Sequence, residues 1–223
     1  MTVDIKDKPF FCLWSGGKDC CLSLYRAIDQ GGQPQLLFTL FDDQFENSYN
    51  HRLSRDIIYA QAKSLNLPIE IAEATEDDYE KTFLSSLENF KSLFIDFGVF
   101  GGTDVIAESD WNSKVCSKYD IEACYPLSDN NSKDLLTEFL DLGFEAIIIA
   151  VKDEVLDTSY LGRHLNKSLI EELELKGVDV WGKNGEYHTL VIAGPLFSKR
   201  INIIPKEIHS INGTSYLNLD VNI

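Results

Sequence analysis

Compact apolar runs alternate with stretches whose apolar positions recur every three or four residues through the first half of the chain. Residues 10–14, 36–41, 69–72, 97–100 and 123–125 have the length and composition of strands. Between them, residues 19–30 set Leu22, Leu24, Tyr25 and Ile28 at helical spacing and stop at Gly31-Gly32. Residues 53–65 repeat the arrangement with Ile57, Ile58, Ala60 and Leu65 ahead of Pro68. Strands alternating with helices of this length predict an α/β fold with a parallel sheet, because a parallel pair needs a long crossover connection.

The texture changes at Pro126. The polar stretch Ser128-Asp129-Asn130-Asn131-Ser132 breaks the pattern and supplies an N-cap for a helix over residues 133–142. A strand at 145–151, a helix at 166–176 and strand-like runs at 178–181, 187–192, 201–204 and 216–221 follow. The expected organisation is an α/β domain over residues 1–126 and a second, smaller α+β domain over 127–223.

Composition narrows the chemistry. With 36 acidic against 20 basic residues the net charge is −16, which repels a phosphate backbone and argues against nucleic acid as a partner. No apolar stretch has the length of a membrane span and residues 1–8 are polar, so the expected address is the cytoplasm, with no membrane partner. Cys12, Cys20, Cys21, Cys116 and Cys124 form no CxxC pair and read as reduced thiols, and the four histidines form no HExxH pattern. Neither a disulfide framework nor a transition-metal centre is expected.

The first strand runs directly into Ser15-Gly16-Gly17-Lys18-Asp19-Cys20 and then a helix. Glycines admit positive φ and close backbone approach, and the helix N-terminus presents N–H groups and a positive dipole end, so this is an anion site. Lys18 adds a full charge and Ser15 a hydroxyl. A Walker A loop would need Gly in place of Cys12 and Ser or Thr in place of Asp19, and no GxGxxG follows any strand. The Ser-Gly-Gly-x-Asp loop instead resembles that of N-type ATP pyrophosphatases, such as GMP synthetase and argininosuccinate synthetase. That resemblance implies ATP as a substrate, its β and γ phosphates gripped by the loop while a nucleophile attacks the α phosphorus.

Later landmarks sharpen the likeness. Asp157 to Leu161 followed by Gly162-Arg163, then Trp181-Gly182-Lys183-Asn184-Gly185-Glu186-Tyr187-His188-Thr189-Leu190-Val191, then Gly194-Pro195-Leu196-Phe197, resemble the diphthine–ammonia ligase (diphthamide synthetase) family in order and spacing. The resemblance implies a HUP-type N-terminal domain of the adenine nucleotide alpha hydrolase-like kind, an added C-terminal domain, and an active site in the cleft between them. It further implies a ligase that adenylates a carboxylate such as diphthine, on a protein such as a translation elongation factor, and transfers ammonia to it. Departures are local: Cys20 replaces the usual serine, Lys183 a common glutamate, and Gly101-Gly102-Thr103-Asp104 stands where relatives tend to show Gly-Asp, with Glu108 and Asp110 as alternative acids. His188 points to the bacterial branch, which makes no diphthamide, so the acceptor stays open.

Candidate residues follow. Ser15, Gly16, Gly17, Lys18, Asp19, Cys20, Phe41 and Gly101 are expected to bind the nucleotide, and Asp104, Asp157, Arg163, Asn184, Gly185 and Glu186 the second substrate. Lys18 and Glu186 are the expected catalytic groups, with Mg2+ on the phosphates and Asp19 its protein contact. Glu186 could also contact the metal, orient ammonia or take its proton. Two plainer readings stand beside these: Asn184-Gly185 as a hairpin turn joining 178–181 to 187–192, and Arg163 as a surface charge paired with Asp157 or Glu171. Modification of transfer RNA by base adenylation and nucleotide sensing without turnover are the competing functions, and self-association is left open.

Overall fold

The computed structural model describes residues 3–42, 47–48, 51–103, 108–128 and 130–222, with backbone alone at residue 47 and residues 108–110. The chain forms two compact units: Met1–Ser15, Asp19–Asn50 and Asn66–Asp129 make the first, and Gly16–Lys18, His51–Leu65 and Asn130–Ile223 the second. In chain order the first stretch carries β1 (Pro9–Leu13), α1 (Lys18–Asp29), β2 (Gln33–Asp42), β3 (Asn47–Ser48), α2 (Arg55–Leu65), β4 (Ile69–Ala74), α3 (Tyr79–Ser92), β5 (Phe97–Val99), α4 (Glu108–Ser117) and β6 (Glu122–Cys124). Helix α2 counts with the second unit by its contacts.

All six of these strands form the sheet of the first unit. Five are parallel, in the order β4-β2-β1-β5-β6, and β3 pairs antiparallel with the end of β2. β1 (Pro-Phe-Phe-Cys-Leu) sits in the middle because it has no polar side chain, and a strand flanked on both edges and covered on both faces needs none. Phe11, Phe38, Phe83, Phe90 and Phe100 dominate the core of this unit, with the Phe11 and Phe90 rings 5.0 Å apart. Helix α3 joins that core through Phe83, Leu87 and Phe90, an i, i+4, i+7 stripe.

The second unit continues with α5 (Ser132–Asp141), β7 (Glu145–Lys152), a 3-10 turn (Thr158–Tyr160), α6 (Lys167–Leu175), β8 (Tyr187–Ala193), β9 (Asn202–Ile211) and β10 (Thr214–Asn222). Its strands form an antiparallel sheet in the order β8-β7-β10-β9. The polar stretch after Pro126 acts as expected: the Asn131 side chain accepts the Lys133 N–H at 2.8 Å and caps α5.

Two expectations are corrected here. Residues 178–181 form no strand, and Asn184-Gly185 is not a hairpin turn; β8 pairs with β7 instead, Tyr187 opposite Val151. The cause is local hydrogen bonding. The Asp179 carboxylate accepts the N–H groups of Trp181 at 3.0 Å and Lys183 at 3.2 Å, and the Ser132 hydroxyl at 2.7 Å. Backbone donors used that way are withdrawn from a ladder. The Asn-Gly hairpin of this chain is Asn212-Gly213, both at positive φ (51° and 79°), joining β9 to β10 with Ile211 opposite Thr214.

Candidate functional site

The strand order reverses around β1: β2 and β4 lie to one side, β5 and β6 to the other. The carboxyl end of such a strand is the topological switch point at which open α/β sheets leave a crevice for ligands. The Ser15 to Cys20 loop occupies that position, because β1 ends at Leu13 and α1 begins at Lys18. Of the other nucleotide candidates, Phe41 is fully buried near the end of β2, and Gly101 follows β5.

Within the first unit, Gly101 is pressed against the start of α1. A Cβ added there would lie 3.0 Å from the Asp19 carbonyl carbon and from the Cys20 nitrogen. Backbone cannot yield as a flexible side chain can, so this position requires glycine. The Ser23 hydroxyl donates to the Phe100 carbonyl at 3.2 Å and ties the same strand end to α1. Ser15 is half-buried, and its hydroxyl lies 3.5 Å from the Cys20 sulfur.

Burial raises the Cys20 thiol pKa, but hydrogen bonds from Cys21 and Ser15 outweigh it and leave the thiol below its ordinary value. All five cysteines are buried and free. A thiol in that setting tolerates a hydroxyl, since backbone N–H groups supply most phosphate contacts at a helix N-terminus. Cys20→Ser is therefore expected to keep or raise the rate of pyrophosphate release. A loss greater than about tenfold, with circular dichroism unchanged, would assign the thiol to the chemistry.

Within the second unit, the rest of the loop meets the late signature. Gly16 has φ +79°, and its carbonyl accepts both the Val191 N–H at 2.9 Å and the Gln61 amide at 2.9 Å. Gln61, fully buried, also donates to the Val191 carbonyl at 2.8 Å, so one side chain bridges α2, the glycine turn and β8. The Lys18 N–H donates to the Thr189 hydroxyl at 3.1 Å. The Lys18 ammonium, on a side chain 3% exposed, stands 4.8 Å from the centre of the Trp181 ring and 5.1 Å from that of Tyr187. The His51 and His188 rings lie 4.8 Å apart, and His51 Nε2 is 2.8 Å from where a Gly17 Cβ would stand. Burial, then His188 and Lys18, hold the His51 pKa well below its usual value, keeping that ring neutral near pH 7.

Glu186 is 7% exposed, not perched on an open tip. Its carboxylate accepts the Asn184 N–H at 2.9 Å and the Asn184 side-chain amide at 2.8 Å, while Gly185 turns the chain at φ +75°. Asp157 and Arg163 belong to a different cluster. Asp157 is exposed and caps the 3-10 turn by accepting the Ser159 N–H at 2.8 Å. Arg163 forks onto Glu172, with its two nitrogens 3.1 and 2.6 Å from the carboxylate oxygens, so neither Asp157 nor Glu171 is its partner. Hydrogen bonds from Arg163 and the Tyr160 hydroxyl lower the Glu172 pKa to about 2. Asp104 lies outside the described residues, and Glu108 and Asp110 begin α4 with only their backbone described.

Gln61 and His51 were not singled out by sequence, and Trp181, Tyr187 and Thr189 stood in the late signature without a role of their own. Gln61 left a signal, as a polar residue on the buried stripe Ile57, Ile58, Ala62 and Leu65. His51 left none. Among the described residues no group of three His, Cys, Asp or Glu is placed to hold a metal, and no helix is long and apolar enough to cross a membrane.

Comparison with known proteins matches both halves of the chain. The model of the diphthamide synthase N-terminal domain fits residues 9–123, and that of the diphthamide synthase C-terminal domain fits residues 131–222. A curated relative from Rattus norvegicus named diphthine–ammonia ligase is 31% identical, over 93% of this chain and 89% of the relative. The protein of that name from Homo sapiens is 26% identical, over 88% and 83% respectively. A solved structure from Methanocaldococcus jannaschii, described as a predicted subunit of tRNA methyltransferase, covers 85% of this chain and 98% of its own at 17% identity and a TM-score of 0.46, too remote to bear on fold or function.

Proposed function

Because the chain belongs to the diphthamide synthase family, we propose that it is an ATP-dependent ligase that adenylates a carboxylate and converts it to an amide with ammonia. The observation that carries this reading is the joining of the glycine loop to the late signature, through Lys18 N–H to Thr189 and Val191 N–H to the Gly16 carbonyl. A loop tethered at both its glycine and its lysine is preorganised, and a preorganised donor set stabilises a departing anion without rearranging.

The reaction has two steps. In the first, an oxygen of the acceptor carboxylate attacks the α phosphorus of ATP, the bond to the bridging oxygen breaks, and pyrophosphate leaves with the electron pair. Ser15, the backbone of Gly16 and Gly17, and the Lys18 charge hold that leaving group against the positive end of α1. In the second, ammonia attacks the acyl carbon, AMP departs, and the proton lost by nitrogen passes to a base. Glu186 is that base, its carboxylate fixed by the two Asn184 donors. Asp157 and Arg163, engaged with Ser159 and Glu172, reach the acceptor only by exchanging those partners. The acceptor's identity follows the relatives' name only so far as a diphthine-like carboxylate on a protein.

Mg2+ fits the donor set in a limited way. It is commonly held by one or two carboxylates together with substrate phosphates and water, and half-buried Asp19 in the first turn of α1 offers one such carboxylate. When bound, the ion neutralises charge on the phosphates.

Hydroxylamine in place of ammonia tests this reading. The full chain, incubated with ATP, a cell-extract protein fraction and hydroxylamine, is expected to release AMP and pyrophosphate in equal amounts and leave an acceptor hydroxamate. Formation of ADP, or turnover stimulated by transfer RNA and indifferent to both amines, would overturn it.

A further inference from the structure

Within the second unit, one face of α2 borders an open cavity of about 420 Å³ that the segment entering β9 and the end of β10 also line. None of the residues of the glycine loop or the late signature lines it. Asp56, Tyr59, Ala60 and Lys63 fall at i, i+3, i+4 and i+7, so they share one side of the helix. Lys199 and Arg200 face them.

Charge is the first argument. In a chain of net charge −16, the residues lining this cavity include three cations, Lys63, Lys199 and Arg200, and one acid, Asp56. Arg200 already pairs with Glu145. Lys63 and Lys199, both exposed, form no ion pair among the described residues. Two unneutralised ammonium groups at one cavity mouth repel each other, and an anion relieves that repulsion.

Shape is the second. The wall is pinned: the Ser198 N–H and hydroxyl both donate to the Ser64 carbonyl at 2.7 Å, and the Ser64 hydroxyl donates to the Lys199 carbonyl at 2.5 Å. A cavity whose cationic segment is hydrogen-bonded in place exists before a ligand arrives. Tyr59, 49% exposed, offers a flat ring beside buried Ile201, so one part of the site is apolar and another cationic. The volume falls in the range of about 300 to 1,000 Å³ common for small-molecule pockets.

We infer that this cavity binds a small organic phosphate of mononucleotide size, with Lys63 and Lys199 holding the phosphate and Tyr59 stacking on the ring. A long polyanion is disfavoured by the field of the whole chain. The site does not depend on the ligase reading, since no residue is shared with the adenylating loop.

Calorimetric titration of the full chain with AMP tests it, using pyrophosphate and adenosine as half-probes. Wild type and Lys18→Met are both expected to show an AMP-binding event, additional to the one at the adenylating site, that Lys63→Glu/Lys199→Glu weakens by about tenfold or more, the scale of losing one charge-assisted contact. Tyr59→Ala should weaken AMP and leave pyrophosphate unchanged. Both lysines are exposed, so the double charge reversal should fold and retain pyrophosphate release at the wild-type rate. An AMP isotherm unaltered by the double reversal, or a pyrophosphate-binding event that the double reversal removes and that is as tight as the AMP event it removes, would overturn the proposal. The first outcome dismisses the site and the second reduces it to a nonselective cationic patch. Loss of turnover in Lys18→Met with the AMP event intact would bear on the loop alone.

Discussion

Glu186→Gln is expected to bind ATP within about twofold of the wild type and to lose roughly 100-fold or more in turnover, the usual cost of removing a general base. The structure adds a structural expense to that substitution. Both carboxylate oxygens of Glu186 accept hydrogen bonds from Asn184, one from the N–H and one from the side-chain amide. Glutamine keeps one acceptor and turns an NH2 group toward a donor, which costs about 1 to 3 kcal/mol at a buried position. For a chain of this size that is a fall of roughly 2 to 12 °C in Tm.

Asn184→Ala separates the two effects. It removes the side-chain donor and loosens the same turn without touching the charge. If Glu186 is the base, Asn184→Ala retains most of its turnover, at a similar cost in Tm, while Glu186→Gln does not. Equal losses of turnover in the two variants, tracking Tm, would return residues 184–186 to a turn of structural importance. The measurement is AMP production with the acceptor saturating, beside thermal unfolding of each variant.

The difference between sequence and structure is instructive at this turn. Asn184-Gly185 preceding an apolar run has the signature of a hairpin, and so does Asn212-Gly213. What separates them is the upstream flank. Asn212 follows the ten-residue strand β9, eight of whose residues pair with β10, whereas Asn184 follows a stretch whose N–H groups are captured by Asp179. An aspartate five residues before the asparagine decides the outcome, and dipeptide preference is blind to it.

The parallel sheet was legible because its signal is local: β1 and β2 are short apolar runs, and the glycine turn and first helix follow without interruption. The stripe of α3 was equally available in Phe83, Leu87 and Phe90. Partners of the loop were not. Gln61, Thr189 and Trp181 lie 45, 171 and 163 residues from the positions they serve, Gly16 and Lys18, and no periodicity encodes a pairing across that separation. The family signature marked residues 182–189 as important, yet only the geometry shows that Thr189 binds backbone and that Tyr187 lies under a lysine.

That lysine supports the second large prediction. Lys18 is nearly fully buried, with its ammonium against two aromatic faces. Cation–π contact of this kind supplies only part of the stabilisation that water gives a free ammonium. Removing the charge while keeping the stem preserves the packing on Trp181 and Tyr187, so the variant should fold, which thermal unfolding checks. Lys18→Met does this, because methionine has a similar reach and its sulfur packs well on aromatic rings. The backbone donation from residue 18 to Thr189 is untouched by the change.

ATP binding is a different matter. If the Lys18 charge faces the β and γ phosphates, its loss should weaken ATP by about 1 to 3 kcal/mol, roughly 5- to 150-fold. The same argument requires pyrophosphate to lose affinity in parallel as a product inhibitor, while inhibition by AMP at the adenylating site stays level, since AMP carries only the α phosphate. Equal weakening of AMP and pyrophosphate would move Lys18 toward the α phosphorus and make it a stabiliser of the transition state itself. Calorimetric titration with unchanged ATP affinity would detach Lys18 from the nucleotide altogether and leave it a structural role beside Trp181 and Tyr187.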